Sequence, residues 1–161
     1  MGGSTDQGNH TAAAEFNIYA DPEAAAQVFQ AGIPLRMFGL NLCRQLLVTN
    51  GEVRQLRAIG TPRAQRLAGY LEAYVRIRSA DGSVPMPMYD PVVALYLEAP
   101  QLFQFQSAHV AIELTGELTR GMTVCEFRVP RRAPINTQVA MLADGPAAIA
   151  LLMQRLTAIL H

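Results

Sequence analysis

Apolar residues recur at two spacings along this chain, near 3.6 in some stretches and near 2 in others, and these stretches predict its elements. Residues 1–14 show neither period; rich in Gly, Ser, Thr and Asn and then in Ala, they predict a loop. Asp21-Pro22-Glu23 is a helix start, with Asp as the cap and Pro in the first turn, and the helix runs through Ala24–Ala26 to Phe29, ending near Gly32. Ile33 to Leu40, bounded by Gly32 and Asn41, predicts a short buried strand of the parallel type. Thr49 to Ala58 predicts a short helix capped by Thr49 or Asn50. Thr61-Pro62 opens a longer one with Leu67, Leu71, Tyr74 and Val75 on its apolar face. Ser79 to Met88 predicts a loop around Asp81-Gly82 and two prolines, and Asp90-Pro91 opens a helix over Val92 to Leu97. From Ala108 the period shortens: His109–Leu114, Met122–Arg128 and Asn136–Leu142 alternate as strands, two of them joined through a Gly116–Gly121 turn. A last helix follows Asp144-Gly145-Pro146, with Ile149, Leu152, Leu156 and Ile159 facing inward. The succession of helix, turn and buried strand is that of an α/β domain.

Composition narrows the function classes. At 161 residues, half of them hydrophobic and 16% charged, the chain fits one compact domain. The longest apolar run, near Pro146–Met153, is far shorter than the ~20 residues of a membrane span. The opening Met-Gly-Gly-Ser-Thr-Asp has neither the basic nor the apolar region of a secretory leader, so a cytoplasmic protein is expected. The formal net charge of zero gives no footprint for nucleic acid. All 13 cationic residues are Arg, which excludes a Schiff-base or phosphate-loop lysine within the chain, and Arg131-Arg132 reads as a solvated loop. Cys43 and Cys125 form neither a disulfide framework nor a metal pair, and His10, His109 and His161 have no metal-ligand spacing.

Three polar constellations could carry chemistry. In the first loop, Asn9, Glu15 and Asn17 offer donors and acceptors suited to sugar hydroxyls. Taken locally, Asn9 is a turn residue and Glu15 a surface carboxylate. In Pro87-Met88-Tyr89-Asp90-Pro91, a carboxylate at a loop–helix junction could hold a cation through oxygen, or simply cap the helix. Leu40-Asn41-Leu42-Cys43-Arg44-Gln45 lies at the end of a parallel strand, where α/β sheets place ligands; Cys43 reads there as a buried small residue rather than a nucleophile.

Taken together, these segments resemble the inosine–uridine-type nucleoside hydrolase family, over nearly the whole chain. Met1-Gly2-Gly3, Gly8-Asn9, Ala14-Glu15-Phe16-Asn17-Ile18 and Asp21-Pro22-Glu23-Ala24-Ala25 are similar to its most recognisable stretch. Ile33-Pro34 to Gly39-Leu40, Met88-Tyr89-Asp90-Pro91, Gly121-Met122-Thr123-Val124 and Asn136-Thr137-Gln138-Val139-Ala140 follow in the family's order. The resemblance implies an α/β fold with a mostly parallel sheet flanked by helices, and hydrolysis of the N-glycosidic bond of ribonucleosides. It implies a calcium ion at the ribose with Asp90 as a ligand, Met1, Asn9, Glu15 and Asn17 along the ribose, and Phe16 near the base.

Two departures qualify it. The family's aspartate-rich opening, which supplies the catalytic base and most metal ligands, is not in this chain, so the similarity is to the C-terminal half of a domain. Tyr89 replaces the usual His that helps protonate the leaving base, and Arg44 stands where many members carry another His. A phenol with an ordinary pKa near 10 is a weaker acid near neutrality, though it can contact the leaving group. The expectation is a chain inactive alone, whose partner is an N-terminal half or a second copy. The alternatives are a non-catalytic nucleoside- or ribose-binding protein and a structural subunit.

Overall fold

The computed structural model describes residues 1–79, 83–130 and 133–161. The expected loop at Asp81-Gly82 and the pair Arg131-Arg132 lie outside the described residues. Seven α-helices and six strands occur within them: α1 Phe16–Ala20, α2 Pro22–Gln30, β1 Arg36–Met37, α3 Leu40–Cys43, β2 Leu47–Val48, α4 Asn50–Ala58, α5 Pro62–Arg78, β3 Met86–Pro87, α6 Pro91–Glu98, β4 Phe103–Ile112, β5 Thr123–Glu126, β6 Thr137–Ala143 and α7 Gly145–Leu160.

Local capping chemistry starts most of the helices. Asp21 accepts the Ala24 N–H at 2.9 Å, Thr61 the Ala64 N–H at 3.3 Å and Asp144 the Ala147 N–H at 3.1 Å. Each is followed by proline in the first turn, where a missing N–H costs nothing. At α4, Thr49 accepts from Gly51, and Glu52 reaches back to the Thr49 N–H at 2.7 Å. That reciprocal pair satisfies donors the helix itself leaves free.

The main sheet has the order β1-β6-β4-β5, and β2 pairs with β3 in a separate antiparallel ribbon. The α/β architecture is as expected, but the sheet is mixed rather than mostly parallel. Among the described residues only β1 and β6 run parallel, with Arg36 opposite Gln138, while β4 is antiparallel to both β6 and β5. The cause is connection length. β4 and β5 are joined by the short connection 113–122, closed by Glu113 N–H to Met122 C=O (3.0 Å) and Gly121 N–H to Glu113 C=O (2.7 Å), too short for the crossover a parallel pair needs.

Helices cover both faces of the sheet. Met37, Val139, Ala108 and Val110 pack with Ile18 and Phe29 on one side; Phe38, Ala140 and Phe103 enter the larger cluster with Leu42, Leu46, Leu56 and Val92 on the other. Successive residues thus point to opposite faces, as strand pleating requires.

Several boundaries differ from the sequence expectations. The strand expected over Ile33–Leu40 shrinks to Arg36–Met37, because Gly32 turns at φ +71°, Ile33 stays 56% exposed and Leu40 already opens α3. β4 begins at Phe103, six residues before the expected start. In α5, Val75 is buried but Tyr74 faces outward; in α7, Ile149 is buried and Leu152 and Leu156 pack on the core as expected, Ala148 and Met153 are buried beside them, and Ile159 is exposed. No helix among the described residues is long and apolar enough to cross a membrane.

Candidate functional site

The first loop is pinned between two strands. Gly2 donates to the Phe38 carbonyl (3.1 Å), and the Leu40 N–H donates to the Gly3 carbonyl (2.9 Å), which lays Met1–Gly3 beside the end of β1. On the other side Thr123 of β5 clasps Ser4: its Oγ1 accepts the Ser4 N–H at 2.9 Å and donates to the Ser4 carbonyl at 2.5 Å. Gly3 has a φ of +74°, and a Cβ there would lie 2.7 Å from the Thr123 methyl, so both the turn and the close approach require glycine.

Glu15 organises this loop from inside. It is 3% exposed, not the surface carboxylate that its local sequence suggests. Its Oε2 accepts the Gly3 N–H at 3.0 Å and the Ile18 N–H at 3.1 Å, so one oxygen both caps α1 and holds the loop turn. Asn9 is exposed, yet its Oδ1 accepts the Phe16 N–H at 2.9 Å and closes the loop onto the same helix start. Asn17 donates to the Met1 carbonyl at 3.2 Å. Phe16 projects outward, 58% exposed, with His10 edge-on at 5.5 Å. Met1, Asn9, Glu15, Phe16 and Asn17 are therefore gathered in one wall.

The second wall is the entrance to α6. Pairing of β2 with β3 and a Met88 N–H to Leu46 C=O bond of 2.8 Å hold Tyr89 and Asp90 beside the end of α3. Asp90 occupies the cap position of α6 but makes no side-chain capping bond, so the plain N-cap reading fails. Its backbone is already helical, at φ −54° and ψ −37°, which carries the carboxylate away from the first-turn N–H groups. It is exposed. Tyr89 is half-buried, its ring edge-on to Tyr74 at 6.4 Å. Burial, and then the neighbouring Tyr74, push the Tyr89 phenol above its ordinary range. The sequence reading missed Tyr74 as a neighbour of Tyr89, having assigned it to the buried face of its helix; its place seven residues after Leu67 gave no signal of an outward turn.

Cys43 ties the walls together. It is fully buried, and burial raises its thiol to about 12, with Glu15 and Asp90 within electrostatic reach. Met1 and Tyr89 pack on the cluster that contains it. A thiol so protected is no nucleophile near neutrality, in keeping with the reading of Cys43 as a buried small residue. The rest of the Leu40–Gln45 segment is structural. Gln45 donates to the Met141 carbonyl (2.8 Å) and accepts from Ala143 (3.0 Å), and Asn41 donates to the Ala140 carbonyl (3.0 Å). The Asn41 Oδ1 is buried without a partner among the described residues.

Arg44 reaches back to the first wall, donating to Asp6 at 2.6 Å and to the Gln7 carbonyl at 3.0 Å. Partial burial of Asp6 acts to raise its pKa, but bonds from Ser4 and Arg44 outweigh it and hold the carboxyl below its usual value. The position thus fixes a loop rather than presenting an acid.

Among the described residues no group of three or more His, Cys, Asp or Glu is placed to hold a metal ion. The donor set is one uncommitted carboxylate, Asp90, and one carboxylate whose Oε2 is occupied by two amides, Glu15. This does not fit a calcium ion, which takes six to eight oxygens.

Comparison with known proteins gives one consistent picture. A family model described as inosine-uridine preferring nucleoside hydrolase matches residues 1–150. A pyrimidine-specific ribonucleoside hydrolase, RihA, of Shewanella woodyi is 40% identical over 158 residues, which are 97% of this chain and 51% of the relative. RihA of an Enterobacter species is 37% identical, with 97% and 50% covered. In structure, the chain superposes on a purine-preferring ribonucleoside hydrolase from Gardnerella vaginalis with a TM-score of 0.84 at 30% identity, covering 99% of this chain and 51% of that one. A plant nucleoside hydrolase gives 0.86 at 27%, covering 98% and 52%. The chain spans about half the length of the relatives it matches.

Proposed function

Because the chain belongs to the inosine-uridine preferring nucleoside hydrolase family, we propose that it forms the ribose-holding half of a ribonucleoside hydrolase that cleaves the N-glycosidic bond of its substrate to base and ribose. The observation that carries this reading is that Met1 and Tyr89 pack on the buried cluster containing Cys43, with Asn9, Glu15, Phe16 and Asn17 on the Met1 wall and Asp90 next to Tyr89 on the other.

Cleavage of such a bond builds positive charge on the ribose as the base departs. Carboxylate and amide oxygens fixed before the reaction favour that charge without reorganising. Glu15 keeps the first wall in shape and lends its negative charge; Asn17 and the Met1 carbonyl present polar edges; Asp90 presents a free carboxylate. Phe16 offers an exposed ring against which a planar base can pack. Tyr89, a neutral phenol whose ionisation burial further disfavours, is the group proposed to donate a hydrogen bond to the leaving base.

The residues present do not make a calcium site, and no step is assigned to a metal. Calcium remains the cofactor proposed for the complete domain, with Asp90 supplying one oxygen and the remaining ligands coming from outside this chain. The catalytic base is likewise assigned to the other half, as is turnover itself; a cytoplasmic setting is part of the same proposal.

The test is ribose release from uridine and inosine by the chain alone and by the chain co-expressed with the unmatched portion of the Shewanella woodyi relative. Turnover by the pair and not by the chain is expected. Nucleoside-dependent protection against thermal unfolding without turnover by the pair would favour a binding protein instead. Neither response would leave a structural subunit.

A further inference from the structure

We propose that His10 is a positioning residue for the base of the substrate, holding the ring of Phe16 in the place where a base would pack on it, a role that rests on the nucleoside reading only for the ligand. Phe16 and Tyr19 lie three residues apart on α1 and so share one side of it. Neither ring is covered by the core: Phe16 is 58% and Tyr19 37% exposed. His10 meets both. Its imidazole lies tilted on the Tyr19 ring, with centroids 4.6 Å apart and planes at 33°, and stands edge-on to the Phe16 ring at 5.5 Å and 67°. Offset and edge-on contacts at such distances are the arrangements that aromatic rings prefer. Tyr19 is backed in turn by the β4–β5 connection, where a Cβ on Gly121 would lie 3.1 Å from its ring. A row of rings thus runs from that connection through Tyr19 and His10 to Phe16.

The row is anchored through the backbone. The Ala14 carbonyl accepts the N–H groups of Asn9, His10 and Thr11 at 3.2, 3.1 and 3.2 Å, and the Thr11 hydroxyl accepts those of Ala13 and Ala14 at 3.2 and 2.9 Å. The loop is wound on itself and presents His10 in one place before any ligand arrives. Phe16, by contrast, is more than half exposed, and an exposed ring samples several χ1 wells unless a neighbour closes them. Among the described residues His10 is the ring that meets it. A ring already held in its bound orientation loses no rotamer freedom when a base packs on it, so binding is strengthened without a new contact. The effect belongs to the bound ground state, and therefore to KM rather than kcat. The imidazole acts through Phe16 and has no part in proton transfer.

The test uses the 161-residue chain, alone and co-expressed with the unmatched portion of the Shewanella woodyi relative. His10 is exposed, so its variants should keep the fold. In the chain alone, the Hα–Hβ couplings of Phe16, read by NMR, should report one χ1 rotamer; His10→Ala should move them to the rotamer average, and His10→Phe should restore them. In the co-expressed pair, His10→Ala should raise the KM for inosine about 3- to 10-fold, the range of one aromatic pair, and leave kcat within about twofold. His10→Phe should stay within about twofold of the unaltered pair in both constants, and in a Phe16→Leu background His10→Ala should add less than about twofold. A Phe16 ring that averages in the unaltered chain, a ring that stays fixed in His10→Ala, a loss carried by kcat, or equal effects of His10→Ala with and without Phe16 would overturn the proposal. If the pair binds inosine without turning it over, Kd takes the place of KM in the same comparison and the activity alone falls. Turnover with an unchanged KM in His10→Ala sinks the role of His10 alone, and neither turnover nor binding sinks both.

Discussion

The two walls of the site are built on opposite principles. In the first, Asn9, Glu15 and Asn17 spend polar atoms on the chain itself, bonding Phe16, Gly3, Ile18 and Met1. In the second, Asp90 sits where a capping residue should and caps nothing, and Tyr89 is bordered by a second phenol. The first wall is thus finished by internal bonds, and its geometry is set before any ligand arrives. The second is held by backbone pairing and by the packing of Tyr89 on the core and against Tyr74, and its carboxylate makes no capping bond. On the proposed reading, a polar residue that stabilises the fold and one that serves a ligand differ in where their bonds go, not in residue type.

That contrast can be broken at several points. Cys43, between the walls, reports whether they stay closed. With its thiol pushed up to about 12 and no solvent contact, alkylation at pH 8 should be slower than in the unfolded chain by on the order of 10³-fold. Mass spectrometry after iodoacetamide treatment reads this; rapid labelling of the folded chain would mean the walls open. Glu15→Ala strips two buried amides of a charged acceptor and should cost about 3 kcal/mol or more of stability in denaturant titration. Asp90→Asn, with no capping bond to lose, should cost about 0.5 kcal/mol or less. Equal costs would erase the distinction between the walls.

Tyr89→Phe sharpens the second wall. In the reconstituted enzyme it should lower uridine hydrolysis by roughly 10- to 100-fold, yet change hydrolysis of a nitrophenyl riboside, whose leaving group needs no proton, by no more than about threefold. Since burial raises the Tyr89 pKa above its ordinary value, the phenol stays protonated around neutrality and the profile should show no loss from its ionisation there. Equal loss on both substrates, or none, removes the leaving-group role. The smallest expected signal is calcium binding by the isolated chain. One free carboxylate cannot supply six to eight oxygens, so calorimetry should find no sub-micromolar site, and finding one would contradict the account.

What the sequence made legible follows from the range of each interaction. Helix starts at Asp21, Thr49, Thr61 and Asp144 are set by contacts within three residues; those at Asp21 and Thr61 form as read, Thr49 rather than Asn50 caps α4, and α7 begins at Gly145, inside the Asp144-Gly145-Pro146 stretch it was expected to follow. The family resemblance, carried by Glu15-Phe16-Asn17 and Tyr89-Asp90-Pro91, agrees with the matched family model. Long-range pairing was hidden. The β2–β3 ribbon joins Leu47 to Pro87 across forty residues, and two-residue strands leave no periodicity to detect. The burial of Glu15 was equally invisible, because it depends on Gly3 bending back at a positive φ to meet it. The failure of Asp90 to cap α6 lies in its own backbone angles, which the residues Asp-Pro do not dictate.

The central claim is that Asp90 serves the ligand while Glu15 builds the wall that faces it. Asp90→Asn in the co-expressed pair, with unfolding free energy and uridine turnover measured on the same preparation, tests this most directly. The account predicts stability within about 0.5 kcal/mol of the unaltered chain and turnover lower by about 100-fold or more. Unchanged turnover, or a loss of turnover matched by a loss of stability, would contradict it.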